Sequence, residues 1–172
     1  MDEFRVFTIN NRDFPDPKRM NKYLHDNGFH SVYMIDPGVK VDDNYFVYKT
    51  GKEQNAFVCD IYRNEFHGKV WPGACAFPDF TRPETRTWWS GLYKDFMAQG
   101  VDGVWNDVNE PQVSNTPTGT MPEDNLHRGG NGIPAGTHLQ YHNVYGFLMV
   151  KSSREGMLAA QPKNCLLYTS PS

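Results

Sequence analysis

The stretch that decides the fold is Val101-Asp102-Gly103-Val104-Trp105-Asn106-Asp107-Val108-Asn109-Glu110-Pro111. Its first half is a short apolar run that follows Gly100, which is how a strand buried on both faces reads. Pro111 cannot donate to a hydrogen-bond ladder, so regular pairing ends before it. An acidic residue, Asp107, therefore stands where a strand meets its loop. Upstream, Thr81-Arg82-Pro83-Glu84 has the form of a capping box. Trp89, Leu92, Tyr93, Phe96 and Met97 follow it at helical spacing, and Gly100 closes the pattern. Trp88 and Trp89 fall on this helix, where packing is their expected role.

The same unit occurs once before. Asp16-Pro17 supplies an N-cap and a first helical position, Met20, Tyr23 and Leu24 share one face, and Gly28 stops a helix over residues 17–27. Ser31 to Ile35 is a second apolar run of strand length, again expected to be buried on both faces, and it ends at Asp36-Pro37-Gly38. Residues 39–80 read as a long loop with a small hairpin, its apolar patches at Tyr45–Tyr48 and Ala56–Ile61. Residues 112–136, rich in Pro, Gly, Asn and Thr, read as a loop bordering an active site. Tyr141, Tyr145, Leu148 and Met149 then mark a third helix running towards Ala160.

Alternating helices and strands imply an α/β fold with a parallel sheet. No GxGxxG or GxxxxGK[ST] follows either strand, and both acidic residues lie at C-terminal strand ends, where barrel enzymes carry their chemistry. The fold expected is part of a (β/α)8 TIM barrel, two to three βα units. The 172 residues are fewer than the ~250 of a closed barrel.

Composition removes several function classes. A net charge of -3 with scattered Lys and Arg leaves no footprint for nucleic acid or an anionic membrane. No apolar run has transmembrane length, and Met1-Asp2-Glu3 is not the basic start of a signal peptide. Cys59, Cys75 and Cys165 form neither a CxxC pair nor an even disulfide set. His138 and His142, at i and i+4, could hold zinc in principle but are expected to be a satisfied pair on the helix surface. No cofactor and no metal are expected. Residues 165–172, Cys165-Leu166-Leu167-Tyr168-Thr169-Ser170-Pro171-Ser172, break the helical pattern and look like a translated sequencing-library adapter, so they are set apart as a non-native tail.

Glycoside hydrolysis needs a carboxylate beside the anomeric carbon and an acid on the leaving oxygen. Asp107 and Asp36 are the candidates by position, and spacing alone does not assign their roles. The residues around them resemble glycoside hydrolase family 31, the α-glucosidases and α-xylosidases. Gly103-Val104-Trp105-Asn106-Asp107-Val108-Asn109-Glu110-Pro111 is similar to the family's Trp-x-Asp-Met-Asn-Glu nucleophile motif, with Val108 in place of the usual Met. The likeness extends through Phe14-Pro15-Asp16-Pro17, Ile35-Asp36-Pro37-Gly38, Val70-Trp71-Pro72-Gly73 and His142-Asn143-Val144-Tyr145-Gly146, nearly all of residues 1–164.

The resemblance implies a retaining hydrolase of terminal α-glucosides or oligosaccharides, with Asp107 as nucleophile, Asp36 and Trp71 lining the sugar subsite and Trp105 shaping the pocket. Glu110 is expected to be structural, held by backbone amides or a cation. The resemblance also implies an incomplete catalytic domain: Met1-Asp2 resembles the inside of an Asp-Ile-Asp-Tyr-Met-Asp motif, and the family's acid/base aspartate belongs to a later strand, beyond Asn164. Independent folding is expected to be marginal and activity absent. An α-xylosidase, a transglycosylase and a non-catalytic sugar-binding protein remain open alternatives.

Overall fold

The computed structural model describes residues 1–161 and the strand 166–169. In chain order the elements are α1 (Pro17–Asp26), β1 (Val32–Ile35), β2 (Val39–Lys40), α2 (Phe46–Glu53), β3 (His67–Val70), β4 (Gly73–Ala76), α3 (Pro83–Met97), β5 (Gly103–Asn106), β6 (Leu126–His127), β7 (Gly136–Thr137), α4 (His138–Ala160) and β8 (Leu166–Thr169). β1, β5 and β8 form a parallel sheet in that order, with Ile35 opposite Asn106. Three parallel strands make an open sheet rather than a closed barrel. β8 lies in the segment set apart above. Its pairing is a backbone ladder that many sequences can supply, so it bears on geometry rather than on origin.

α3 and α4 cover one face of the sheet. Trp89 and Tyr93 are fully buried and share Ser153 Oγ at 3.2 and 2.8 Å, and Phe7 stands edge-on to Trp89, Tyr93 and Phe96. The helices are in close contact at Gly156, where a Cβ would lie 2.4 Å from Ser90 O. The other sheet face is open, leaving Val32 at 42% and Trp105 at 39% exposure. The expectation of strands buried on both faces therefore holds for the helix side, while on the other side Val32 and Trp105 stay exposed.

α1 is capped as expected, Asp16 Oδ1 accepting from Arg19 N at 2.9 Å, but it buries Asn21 rather than Tyr23. Asn21 bridges the C-terminal end of α3 to β1: its amide donates to Gln99 O, and its carbonyl accepts from Tyr33 OH. The capping box at α3 is not formed, and the helix begins after Arg82. The Thr81 hydroxyl donates to Asp79 Oδ1 at 2.5 Å and accepts from Gly129 N, which takes it out of the cap.

Residues 39–80 hold more structure than a loop. α2 is a helix of eight residues, with no side-chain cap and Gly51 inside it, pressed against Phe57 and Trp88. β2, β4 and β3 form a small antiparallel sheet whose β3–β4 turn is Trp71-Pro72. Its hairpin lies C-terminal to both apolar patches, since Val47, Tyr48, Ala56 and Phe57 are spent on the core under α3.

Candidate active site

The site follows from strand register. Residues 32 and 34 of β1 and 103 and 105 of β5 point away from α3 and α4, as the period of two requires. Extending the alternation by one residue puts Asp36, Trp105 and Asp107 on that same open face at the C-terminal strand ends. Adjacent strands lie about 4.8 Å apart, so the Asp36 and Asp107 backbones are neighbours.

Their environments differ. Asp107 is half-buried, and its Oδ1 accepts from Val108 N at 2.9 Å. Asp36 is 7% exposed, and its Oδ1 has no hydrogen-bond partner among the described residues. Burial, together with the charge of Asp107, pushes the Asp36 carboxyl up to about 7. Two carboxyls at adjacent strand ends, one raised chiefly by burial and further by its neighbour's charge, are an arrangement in which one can act as an anion while the other carries a proton.

The turn after Asp107 is held in an unusual shape. Val108 has φ of +46°, a left-handed conformation that a β-branched residue adopts only where its surroundings impose it. One such constraint is α4: a Cβ on Gly146 would stand 3.0 Å from Asn109 O, so the helix carries a glycine where the turn rests on it. Asn106, buried beneath, donates from Nδ2 to Ile35 O at 3.1 Å and ties the two strand ends together. Glu110 is not held as expected, its Oε2 being buried without a partner among the described residues.

Trp71 lies on the β3–β4 turn, 64% exposed, with Phe4 as its aromatic neighbour at 6.5 Å. It is therefore not packed down as a hydrophobic lid. The turn after β1 leans on the base of this hairpin: a Cβ on Gly38 would come 2.6 Å from Val70 Cγ2 and 3.6 Å from Cys75 Sγ. Trp71 and Asp36 are thus linked through one packed junction.

The histidine pair departs from expectation. His138 is 1% exposed and belongs to a buried chain in which Asp79 Oδ1 meets His127 Nδ1 at 3.0 Å, His127 Nε2 meets His138 Nδ1 at 3.1 Å, and His138 Nε2 meets His142 Nδ1 at 3.2 Å. The i, i+4 spacing showed two of these residues. His127 and Asp79 come from distant segments and gave no sequence signal. Among the described residues, no group of three or more His, Cys, Asp and Glu could hold a metal ion.

Comparison with known proteins identifies the family. Residues 1–170 match the glycosyl hydrolases family 31 TIM-barrel domain. Alpha-glucosidase 2 of Bacillus thermoamyloliquefaciens is 41% identical over 91% of this chain and 20% of its own length; human neutral alpha-glucosidase C is 36% identical over 90% and 17%. The crystal structure of a family 31 alpha-glucosidase from Bacteroides thetaiotaomicron superposes with a TM-score of 0.80 at 56% identity, over 98% of this chain and 26% of that one. A glucosidase II alpha subunit superposes at 0.86 with 33% identity, over 98% and 19%. The chain thus spans about a fifth of the length of the curated relatives it matches. It belongs to glycosyl hydrolase family 31 and carries part of that family's TIM-barrel domain.

Proposed function

We propose that the protein containing this chain hydrolyses terminal α-glucosidic bonds with retention of configuration, and that Asp107 is its nucleophile. The observation that carries the reading is the pair of strand-end carboxyls on the open face, Asp107 half-buried beside a buried Asp36. Asp107 attacks the anomeric carbon and forms a glycosyl ester, which water then hydrolyses. Asp36, Trp71 and Trp105 bind the sugar: the carboxyl supplies hydrogen bonds to hydroxyls, and the exposed indoles offer flat apolar faces to the ring. Relatives named alpha-glucosidase, and a family 31 dextranase solved with glucose, support an α-glucoside as substrate.

Protonation of the leaving oxygen falls to an acid on another strand, about 5–5.5 Å from the nucleophile. The isolated chain is expected to fold marginally and to turn over no α-glucoside, since its open sheet leaves Val32 and Trp105 exposed to water. In the complete protein, Asp107→Asn should lower kcat on a chromogenic α-glucoside by at least about a thousandfold and leave the fold intact. A rate near wild type would remove Asp107 from the mechanism.

A further inference from the structure

Asp79, His127, His138 and His142 take no part in the chemistry above, yet three of the four are 1% exposed or less. Asp79 accepts from His127 Nδ1, Arg128 N at 2.7 Å, and the amide and hydroxyl of Thr81. Burial alone would raise its pKa, but the hydrogen bond and charge of His127, with the Arg128 amide and Thr81, hold the carboxyl below its ordinary range. An ionised Asp79 only accepts, so His127 Nδ1 carries a proton. With all three rings neutral, one arrangement satisfies every link: His138 donates from Nδ1 to His127 Nε2, and His142 donates from Nδ1 to His138 Nε2. One added proton leaves every link satisfied on any of the three rings, but both histidine links reverse only when it reaches His127, beside the Asp79 carboxylate, which then donates from Nε2 to His138 Nδ1 while His138 donates from Nε2 to His142 Nδ1.

These arrangements differ by one proton, which enters or leaves at Nε2 of the half-buried His142. A proton added there passes the Nδ1 proton of His142 to His138 and that of His138 to His127, with no ring turning over. The other groups facing the chain are Arg128, with Nε 3.7 Å from Asp79, Tyr141, with its ring 5.5 Å from His127, Tyr145, and Cys59, which senses the charges of Asp79 and Arg128. None completes a competing proton path through His138, whose two nitrogens are both engaged by histidines.

The chain also joins two parts of the site's frame. His127 ends β6 and Arg128 follows it, in the segment between β5 and α4, while His138 and His142 belong to α4 two turns and one turn before the Gly146 seat of Asn109. Asn125 O and Glu123 O of the loop accept from the first amides of α4, at 2.8 and 2.9 Å. We propose that Asp79, His127, His138 and His142 form a proton-carrying clamp that fastens the loop after β5 to α4 in either of two hydrogen-bond polarities, and so positions the turn bearing Asp107. The last clause rests on the nucleophile assignment; the clamp does not.

Solid-state 15N spectra of the complete protein labelled at histidine test the relay. On acidification, as the chain takes up one proton, the proton of His138 should move from Nδ1 to Nε2 while the ring stays neutral, in step with the same move at His142. A fixed His138 tautomer, or an imidazolium at His138 in its place, would overturn the relay. Amide exchange tests the clamp. His138→Phe should speed exchange in residues 112–136 by about tenfold or more, as expected for loss of buried hydrogen bonds, without changing α3. His138→Asn, which keeps a donor towards His127, should restore most of the protection. Unchanged exchange, or equal acceleration in α3, would refute the clamp. If the relay and clamp hold while Asp107→Asn stays active, only the nucleophile reading fails.

Discussion

Asp36→Asn is the perturbation with the most to say about this site. The carboxyl's pKa rises from 3.8 to about 7, first through burial and then through the charge of Asp107. A carboxyl raised in the fold binds a proton more tightly than in the unfolded chain. It therefore stabilises fully below pH 3.8, and that contribution is lost as pH rises towards 7. At about 1.36 kcal/mol per pH unit of displacement, the ceiling is roughly 4 kcal/mol, and relaxation and water at the open face bring this to about 2–3 kcal/mol.

Asparagine has the same shape and no charge, so Asp36→Asn should raise the melting temperature at pH 8 by roughly 4–12 °C relative to wild type and change it little at pH 4. Differential scanning calorimetry of both proteins at four or five pH values reads this directly, since the difference between the curves isolates one group. Curves that stay parallel from pH 4 to pH 8 would refute the reasoning, because Asp36 would then ionise as an ordinary aspartate. Activity adds a second reading. If Asp36 binds sugar, the variant should lose rate equally on good and poor leaving groups; if it were the acid, a good leaving group would restore the rate.

Two glycines on packed helices should respond in opposite directions to the same change. Gly91→Ala, with nothing within 4 Å of the new Cβ, should stabilise by about 0.5–1 kcal/mol, whereas Gly156→Ala, facing Ser90 O at 2.4 Å, should destabilise by about 2–3 kcal/mol in chemical denaturation. Trp71→Ala should raise KM about tenfold and leave the melting temperature within a degree or two, because the indole is 64% exposed and has Phe4 as its aromatic neighbour. His138 has its pKa pushed down from 6.5 to about 3 by burial and by the neighbouring histidines, so it stabilises above pH 6.5, and that contribution fades as pH falls towards 3. His138→Asn should therefore flatten the acid limb of the stability profile, and an unchanged slope in pH-dependent unfolding would contradict this.

The sequence alone determined the order of elements around the site. The apolar run Val101 to Asn106, the periodic face of α3 and the stops at Gly28 and Gly100 are local signals, and β5, α3 and α1 stand where those signals put them. The strand-end positions of Asp36 and Asp107 were legible for the same reason, since a strand end and its first loop residue are read from a few neighbours.

What the tertiary structure decided involves partners far apart in the chain. Thr81 had the residues of a cap, but Asp79 and Gly129 took its hydroxyl, and no local pattern records that competition. α2 has a weak helical signal because Gly51 sits inside it, a residue that pays off only where Phe57 and Trp88 close over the backbone. Tyr23 looked like core and is 69% exposed, because α1 docks through Asn21 instead. The buried histidine chain is the clearest case: Asp79, His127 and His138 are scattered along the sequence, and their meeting depends on how the loop after β5 folds back onto α4. Periodicity reports which face of an element is apolar. Which distant group arrives at that face is settled only when the elements pack.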